Sequence, residues 1–361
     1  MPDISGQSGP PTSRGNGRGE RAERTERTER GERGERAGRP ERTERPEWAE
    51  RPERDAPGGR RRRAEPDATE NHGILVVDEP ASAQPQPLMV RVRRLLSLGI
   101  AGFTALLTIG LVVGAQTTHG SHAVVIFFVQ VLFVGVWVVA SRPPAPRVVA
   151  GVGIAVAIGT DVAAVWTRPA SLAPLAYLTA AGFVIGVIGQ LTRPAGRIRV
   201  TESLGSSLVV TLGVVAFAAL VVLGRIPRGT QALDACLVAA GAAIVVARLC
   251  DVVAAAPRIA PQVPRGGAGV VLGAMAGTAA AGAIGHILAG IPNLQTALAG
   301  LATAIAAVMI DLSVGYAEAS RHIDGDAPAL WLARHIQGPL GAFAFAAPVA
   351  YAASELLLLR G

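Results

Sequence analysis

Between about Leu95 and Leu359 the chain runs through nine apolar stretches, separated by short segments that carry Arg, Pro or Gly. Each is close to the ~20 residues a helix needs to cross a ~30 Å hydrocarbon layer. The stretches fall near 95–115, 122–140, 148–166, 171–191, 203–223, 231–254, 268–290, 294–316 and 338–359. Hydrocarbon offers a backbone no hydrogen bonds, so a segment of this kind has to pair its amides internally. The pattern therefore predicts an all-α polytopic transmembrane bundle of nine spans.

Charge divides the chain at the same place. Residues 1–94 hold 20 Arg and 18 acidic residues, whereas residues 95–361 hold 14 Arg and 9 acids. Two regions follow: a tail over 1–90 and a transmembrane domain over 91–361. In the tail, Glu-Arg pairs recur every third residue from Glu20 to Arg36, a period that suits neither a helix face nor a strand face. With almost no large apolar side chains, the tail is expected to be disordered and cytoplasmic. Its balanced charges argue against a dedicated nucleic-acid arm. A solvated linker is the simplest reading, with weak contact to anionic headgroups or RNA through Arg60–Arg63 as the alternative. Gly73–Val77 is its one apolar patch. The first span lies behind Arg91, Arg93 and Arg94, and is expected to stay as an anchor rather than be cleaved.

All 34 basic residues are Arg. That excludes any mechanism built on a Lys nucleophile or Lys phosphate clamp, while leaving Arg free to bind phosphate. Cys236 and Cys250 share one predicted helix about 21 Å apart at 1.5 Å per residue, too far for a disulfide.

Orientation follows from the loops. With the N-terminus inside, the inner loops hold nine arginines (142, 147, 193, 197, 199, 258, 265, 321 and 334) and the outer segments four (168, 225, 228 and 360). The positive-inside rule then predicts a cytoplasmic N-terminus and a C-terminus outside, and the expected location is a plasma (inner) membrane.

The seventh span carries Gly269, Gly273, Gly277, Ala281, Gly285 and Ala289 at four-residue spacing. Such a ridge lets another helix approach to backbone contact, so this span is expected at the centre of the bundle. A lipid chain or a second subunit, through Gly269, Gly273 and Gly277, is the alternative occupant.

Ionisable groups in or beside the spans are Asp161, Asp234, Arg248, Asp251, His286, Asp311, Glu318 and Glu355. Each is costly in lipid and so is a functional candidate by default. Orientation puts Arg248, Asp251, Asp311, Glu318 and Arg321 toward the cytoplasmic leaflet, and His286 and Glu355 toward the outer one. Arg248 and Asp251 are three apart, and Asp311, Glu318 and Arg321 follow at intervals of seven and three, so each set shares a helix face. With Arg258 and Arg265 from the next loop they outline one polar cavity. There Asp251 and Asp311 would hold Mg²⁺ and the arginines would meet phosphate oxygens. The competing reading pairs Arg248 with Asp251 and Glu318 with Arg321 as plain ion pairs.

Residues 190–358 resemble the C-terminal half of CDP-diacylglycerol synthase, or phosphatidate cytidylyltransferase, in the order of their features. Cys250-Asp251 followed by the small run Val252 to Ala256 is similar to that family's Ser-Asp and small-residue stretch. Ala260-Pro261-Gln262-Val263-Pro264-Arg265-Gly266 resembles its loop ending in Pro-Gly-Lys-Thr, and Ile310-Asp311-Leu312 its Gly-Asp-Leu. Asp324 and Asp326 follow in a polar loop. His335 with Gly338-Pro339-Leu340-Gly341 stands where the family has His-Gly-Gly and Asp-Arg-x-Asp, ahead of Ala347-Pro348-Val349. The resemblance implies transfer of a nucleotidyl group to phosphatidate. The loop Lys and a Lys-Arg pair are absent, however, and Gly338, Pro339 and Gly341 replace the carboxylates that would hold metal.

The expected function is accordingly a non-catalytic or altered lipid-cavity membrane protein, in contact with the bilayer and with phospholipid or anionic headgroups. An active CDP-diacylglycerol-type transferase with Mg²⁺ on Asp251 and Asp311 is one alternative, and a small-solute transporter is another. The spans show no paired short or broken helices of the inverted-repeat kind. The topology has a direct test: a reporter fused after Gly361 should read as non-cytoplasmic, and a cytoplasmic signal would refute the loop-charge assignment.

Overall fold

The computed structural model describes residues 94–192, 199–253, 256–260, 263, 265–287, 292–325 (His322 by its backbone alone) and 330–359. The expected tail, with its Glu-Arg repeat, Arg60–Arg63 and Gly73–Val77, lies outside the described residues. So do Asp326 and Ala289.

Nine helices are present among the described residues: α1 (Arg94–Ala115), α2 (His119–Ser141), α3 (Pro146–Trp166), α4 (Ala173–Leu191), α5 (Val200–Gly224), α6 (Gly229–Val253), α7 (Gly267–Ile287), α8 (Asn293–Ile323) and α9 (Trp331–Ser354). A π-helical turn, Glu355–Leu359, continues α9. No strand occurs among these residues, and all nine helices are long and apolar enough to cross a membrane. The protein is a multi-pass membrane protein, and its exposed leucines, isoleucines and valines face lipid.

Local chemistry sets several helix ends. Thr118 caps α2, its hydroxyl accepting from Ser121 N at 3.3 Å. Arg142 closes that helix in the left-handed region at φ 46°, ahead of Pro143 and Pro144. Prolines stand in the first turns of α3 and α4, where their missing N–H leaves no helical bond unmade.

The centre of the bundle is α5, not the seventh span. Ala216 to Gly224 of α5 is buried without a break, as a helix apolar on every side requires. It packs on α2 where Phe133 lies over Gly213; a side chain at 213 would occupy the ring's place. The Phe133 ring lies 5.9 Å from Phe217 and 6.2 Å from Phe345 of α9, both edge-on. By contrast α7 buries only its ridge, Gly269, Gly273, Gly277, Ala281 and Gly285, and leaves Val271, Leu272 and Met275 exposed. A ridge of small residues serves one face, which makes α7 a tightly held peripheral helix rather than a central one.

The ridge lets α7 lie directly on the α6 backbone. A Cβ added at Gly273 would stand 2.5 Å from the Ala243 carbonyl oxygen, and one at Gly277 2.5 Å from that of Ala239.

The last two helices are longer than their apolar stretches. α8 runs on to Ile323 rather than stopping near 316, and α9 begins at Trp331 rather than 338. Hydropathy falls at Glu318 and Arg321, but helical propensity does not. Glu318 also pairs with Arg334 at 2.9 Å, tying the two extensions together. α9 continues through Pro339 and Pro348.

Gly277→Leu should wedge α7 off α6 and lower the thermal midpoint in detergent, by an equivalent of roughly 1–3 kcal/mol or more. Ile287→Leu, on the exposed face of α7, should leave it unchanged.

Candidate functional site

Arg248 and Asp251 lie one turn apart near the end of α6. The chain then folds back before α7 starts. Arg258 bridges to Gly266, Ile259 N donates to the Arg265 carbonyl at 3.1 Å, and Gly267 N to that of Pro257 at 3.0 Å. This narrow hairpin returns Arg265 to the helix it has just left. Arg265 Nη1 donates to Asp251 Oδ2 at 3.0 Å, and Gly266 N to Asp251 Oδ1 at 2.9 Å. Asp251 therefore sits at the N-terminus of α7, where the helix dipole favours an anion. Gly269 lies against it: a Cβ there would be 3.0 Å from Asp251 Oδ1.

Asp311 of α8 completes the cluster. Arg248 Nη2 donates to Asp311 Oδ1 at 2.7 Å, and Arg265 Nη2 is in close ion-pair contact with Asp311 Oδ2. Gly338 of α9 backs the same carboxylate, and a Cβ at 338 would collide with Asp311 Oδ1. Two guanidinium groups thus alternate with two carboxylates at the junction of α6, α7, α8 and α9. Asp251, Arg265 and Asp311 are buried, at 3%, 6% and 2% exposure. Burial, with the Arg248 charge beside it, pulls the Arg265 guanidinium down to about 9, while Asp251 acts to raise it. It stays cationic at neutral pH.

The other candidates occupy the same end of the bundle without joining this ring. Glu318, two turns farther along α8, takes Arg334 instead of serving the cluster. Arg321 Nη1 donates to the Ala140 carbonyl at the end of α2, 3.0 Å away. Arg258 is half-buried on the hairpin, and its Nη1 is buried with no hydrogen-bond partner among the described residues. The simple i, i+3 pairing of Arg248 with Asp251 gives way to a longer-range arrangement, because the hairpin brings Arg265 to Asp251 and frees Arg248 for Asp311.

Magnesium does not fit this donor set as packed. Both carboxylates are engaged by Arg265, and the recess they line with Gly266, Val270, Val308 and Leu312 is too narrow for a water molecule. Among the described residues no group of three or more His, Cys, Asp or Glu is placed to hold a metal ion.

Arg334 and the Gly266 amide join the site without a sequence signal of their own. Arg334 was legible only as a loop charge, and a backbone donor leaves no mark in a sequence. Away from the cluster, Asp234 accepts from Gln116, Asp161 accepts from Gln130, and His286 lies 3.4 Å from the Asn293 amide. Cys236 and Cys250 are free thiols.

No family model matches this chain, and neither a curated protein nor a solved structure matches it.

Arg265→Ala would leave two buried carboxylates short of a counter-charge. The expected loss is about 3–5 kcal/mol of stability, read as a large fall in thermal midpoint. Glu318→Gln removes a partly exposed pair and should cost less than about 1 kcal/mol.

Proposed function

We propose that this protein binds phospholipid within the membrane and does not catalyse nucleotidyl transfer. One observation carries the reading: an apolar groove and a charged cluster meet at a single residue. The groove runs along the exposed side of α7 and α8, has a volume of about 620 Å³ and is lined by Val270, Met275, Ala297 and Leu301 among others. Val270 also lines the recess over Asp251 and Arg265. An acyl chain lying in the groove would bring its headgroup to the hairpin, where Arg258 Nη1 has no hydrogen-bond partner among the described residues and a phosphate oxygen would satisfy it.

The resemblance to phosphatidate cytidylyltransferase supports the same class of ligand. The loss of chemistry is supported by the residues themselves. Gly338, Pro339 and Gly341 carry no carboxylate, no Lys is present, and Arg265 lies between Asp251 and Asp311 where a metal would have to bind. With the N-terminus in the cytoplasm, as the loop charges favour, this site opens toward the cytoplasmic leaflet.

Native mass spectrometry of the protein released from nanodiscs containing phosphatidate and phosphatidylcholine tests the proposal. Retention of phosphatidate over phosphatidylcholine is expected, with the preference reduced several-fold by Arg258→Gln and retention of either lipid reduced by Val270→Trp. Robust CTP-dependent formation of CDP-diacylglycerol in liposomes, abolished by Asp311→Asn, would overturn the non-catalytic reading. Solute flux with no lipid retention would favour a transporter.

A further inference from the structure

The opposite half of the bundle, α2 to α5, holds a second buried polar site that the lipid reading does not use. Gln130 is the twelfth of the 23 residues of α2, so roughly 16 Å of helix lies on either side of it. Its Nε2 donates to Asp161 Oδ1 of α3 at 3.0 Å and to the Val214 carbonyl of α5 at 3.0 Å. Gln130 is fully buried and Asp161 is 7% exposed. Two atoms of this trio are left over: Gln130 Oε1 and Asp161 Oδ2 are both buried without a partner among the described residues.

Both leftover atoms are acceptors if Asp161 is ionised. The amide orientation is settled by its contacts, since Asp161 and the Val214 carbonyl each need a donor. An ionised carboxylate with a single amide donor is among the most expensive groups to place in hydrocarbon. Nor does a cation among the described residues offset it. Arg225, which reaches α3, donates to the Ala164 carbonyl. His122, on α2, lies eight residues, or about 12 Å of helix, from Gln130. On α4 the titratable Tyr177 is exposed, and Glu202 stands in the first turn of α5. Thr160, beside Asp161, gives its hydroxyl to the Val156 carbonyl at 2.8 Å.

We propose that Asp161 binds a proton, held between its Oδ2 and Gln130 Oε1, and that this buried acid–amide pair is an intramembrane proton-binding site. One proton resolves both leftovers: Oδ2–H becomes a donor and Oε1 its acceptor, while the amide N–H continues to serve Oδ1. The two side chains then form the cyclic pair that a carboxylic acid and a primary amide make when each donates once. α5 carries further buried hydroxyls. Ser203, Ser207 and Thr211 stand at four-residue intervals, all buried, leading from the start of that helix toward the Val214 carbonyl. Ser207 Oγ donates to the Ser203 carbonyl at 2.9 Å, and the hydroxyls of Ser203 and Thr211 are buried without partners among the described residues.

Infrared spectroscopy of the full-length protein in liposomes at neutral pH tests this. The expected result is a carbonyl band of a protonated carboxylic acid that is lost in Asp161→Asn and shifts on exchange into D₂O. The Asn variant should accumulate normally, because its amide supplies the donor that Oε1 needs. Should it not, labelling aspartate with ¹³C at the carboxyl carbon assigns the band in the unaltered protein. Gln130→Leu should then raise the band's frequency by removing its acceptor. Absence of the band at neutral pH, or its disappearance on adding Na⁺, would overturn the proposal in favour of an ionised or cation-binding carboxylate. A band unmoved by Gln130→Leu would overturn the pairing.

Discussion

Hydrocarbon leaves a polar group no partner except another part of the protein, and most of this structure is an answer to that constraint. It forces every span into a helix. It also limits which side chains can be inside. Where α7 meets α6, attraction comes from backbone laid against backbone along Gly273 and Gly277, since burying larger apolar groups gains little when lipid is equally apolar. At the junction of α6, α7, α8 and α9 charges enter the bundle as a neutral set. Asp251, Arg265, Asp311 and Arg248 each find an opposite charge, and Asp161, elsewhere in the bundle, finds an amide.

The charged set has a particular architecture. Its hub is a loop residue rather than a helical one. Arg265 joins the end of α6 to the middle of α8 while the amide beside it binds Asp251 at the start of α7. A guanidinium suits this role because its planar fork addresses two carboxylates at once, which a Lys ammonium on a flexible stem would do with less directional fidelity. This loop residue thus acts as a fastener among the helices, with Gly338 supplying the room that Asp311 needs.

The spans were legible because their length and apolarity answer to a bilayer, and the first seven helices begin and end close to where hydropathy places them. The extensions of α8 and α9 were not. They are held by the pairing of Glu318 with Arg334, which a scan for apolar residues reads as an interruption. Asp251, Asp311 and Arg248 were legible as costly groups on shared faces, but their pairing was not, since it depends on how the 256–266 segment folds back. The centrality of α5 was hidden because its uniform Val, Leu and Ala content resembles that of a lipid-facing helix. Gln130 was missed because a neutral amide does not stand out among charges, although its place in the middle of a span was visible.

The pairing of Arg248 with Asp311 also bears on how the chain is made. The two residues are 63 positions apart, so α6, the hairpin and α7 emerge from the ribosome before the acid that completes the set exists. Until α8 is synthesised, the end of α6 and the hairpin carry Arg248, Arg258 and Arg265 against Asp251 alone, a surplus of positive charge. Such a surplus resists translocation while the hairpin is still unpaired. Asp311 then arrives with α8 and pairs with Arg248 and Arg265 only once α6, the hairpin and α7 have been made.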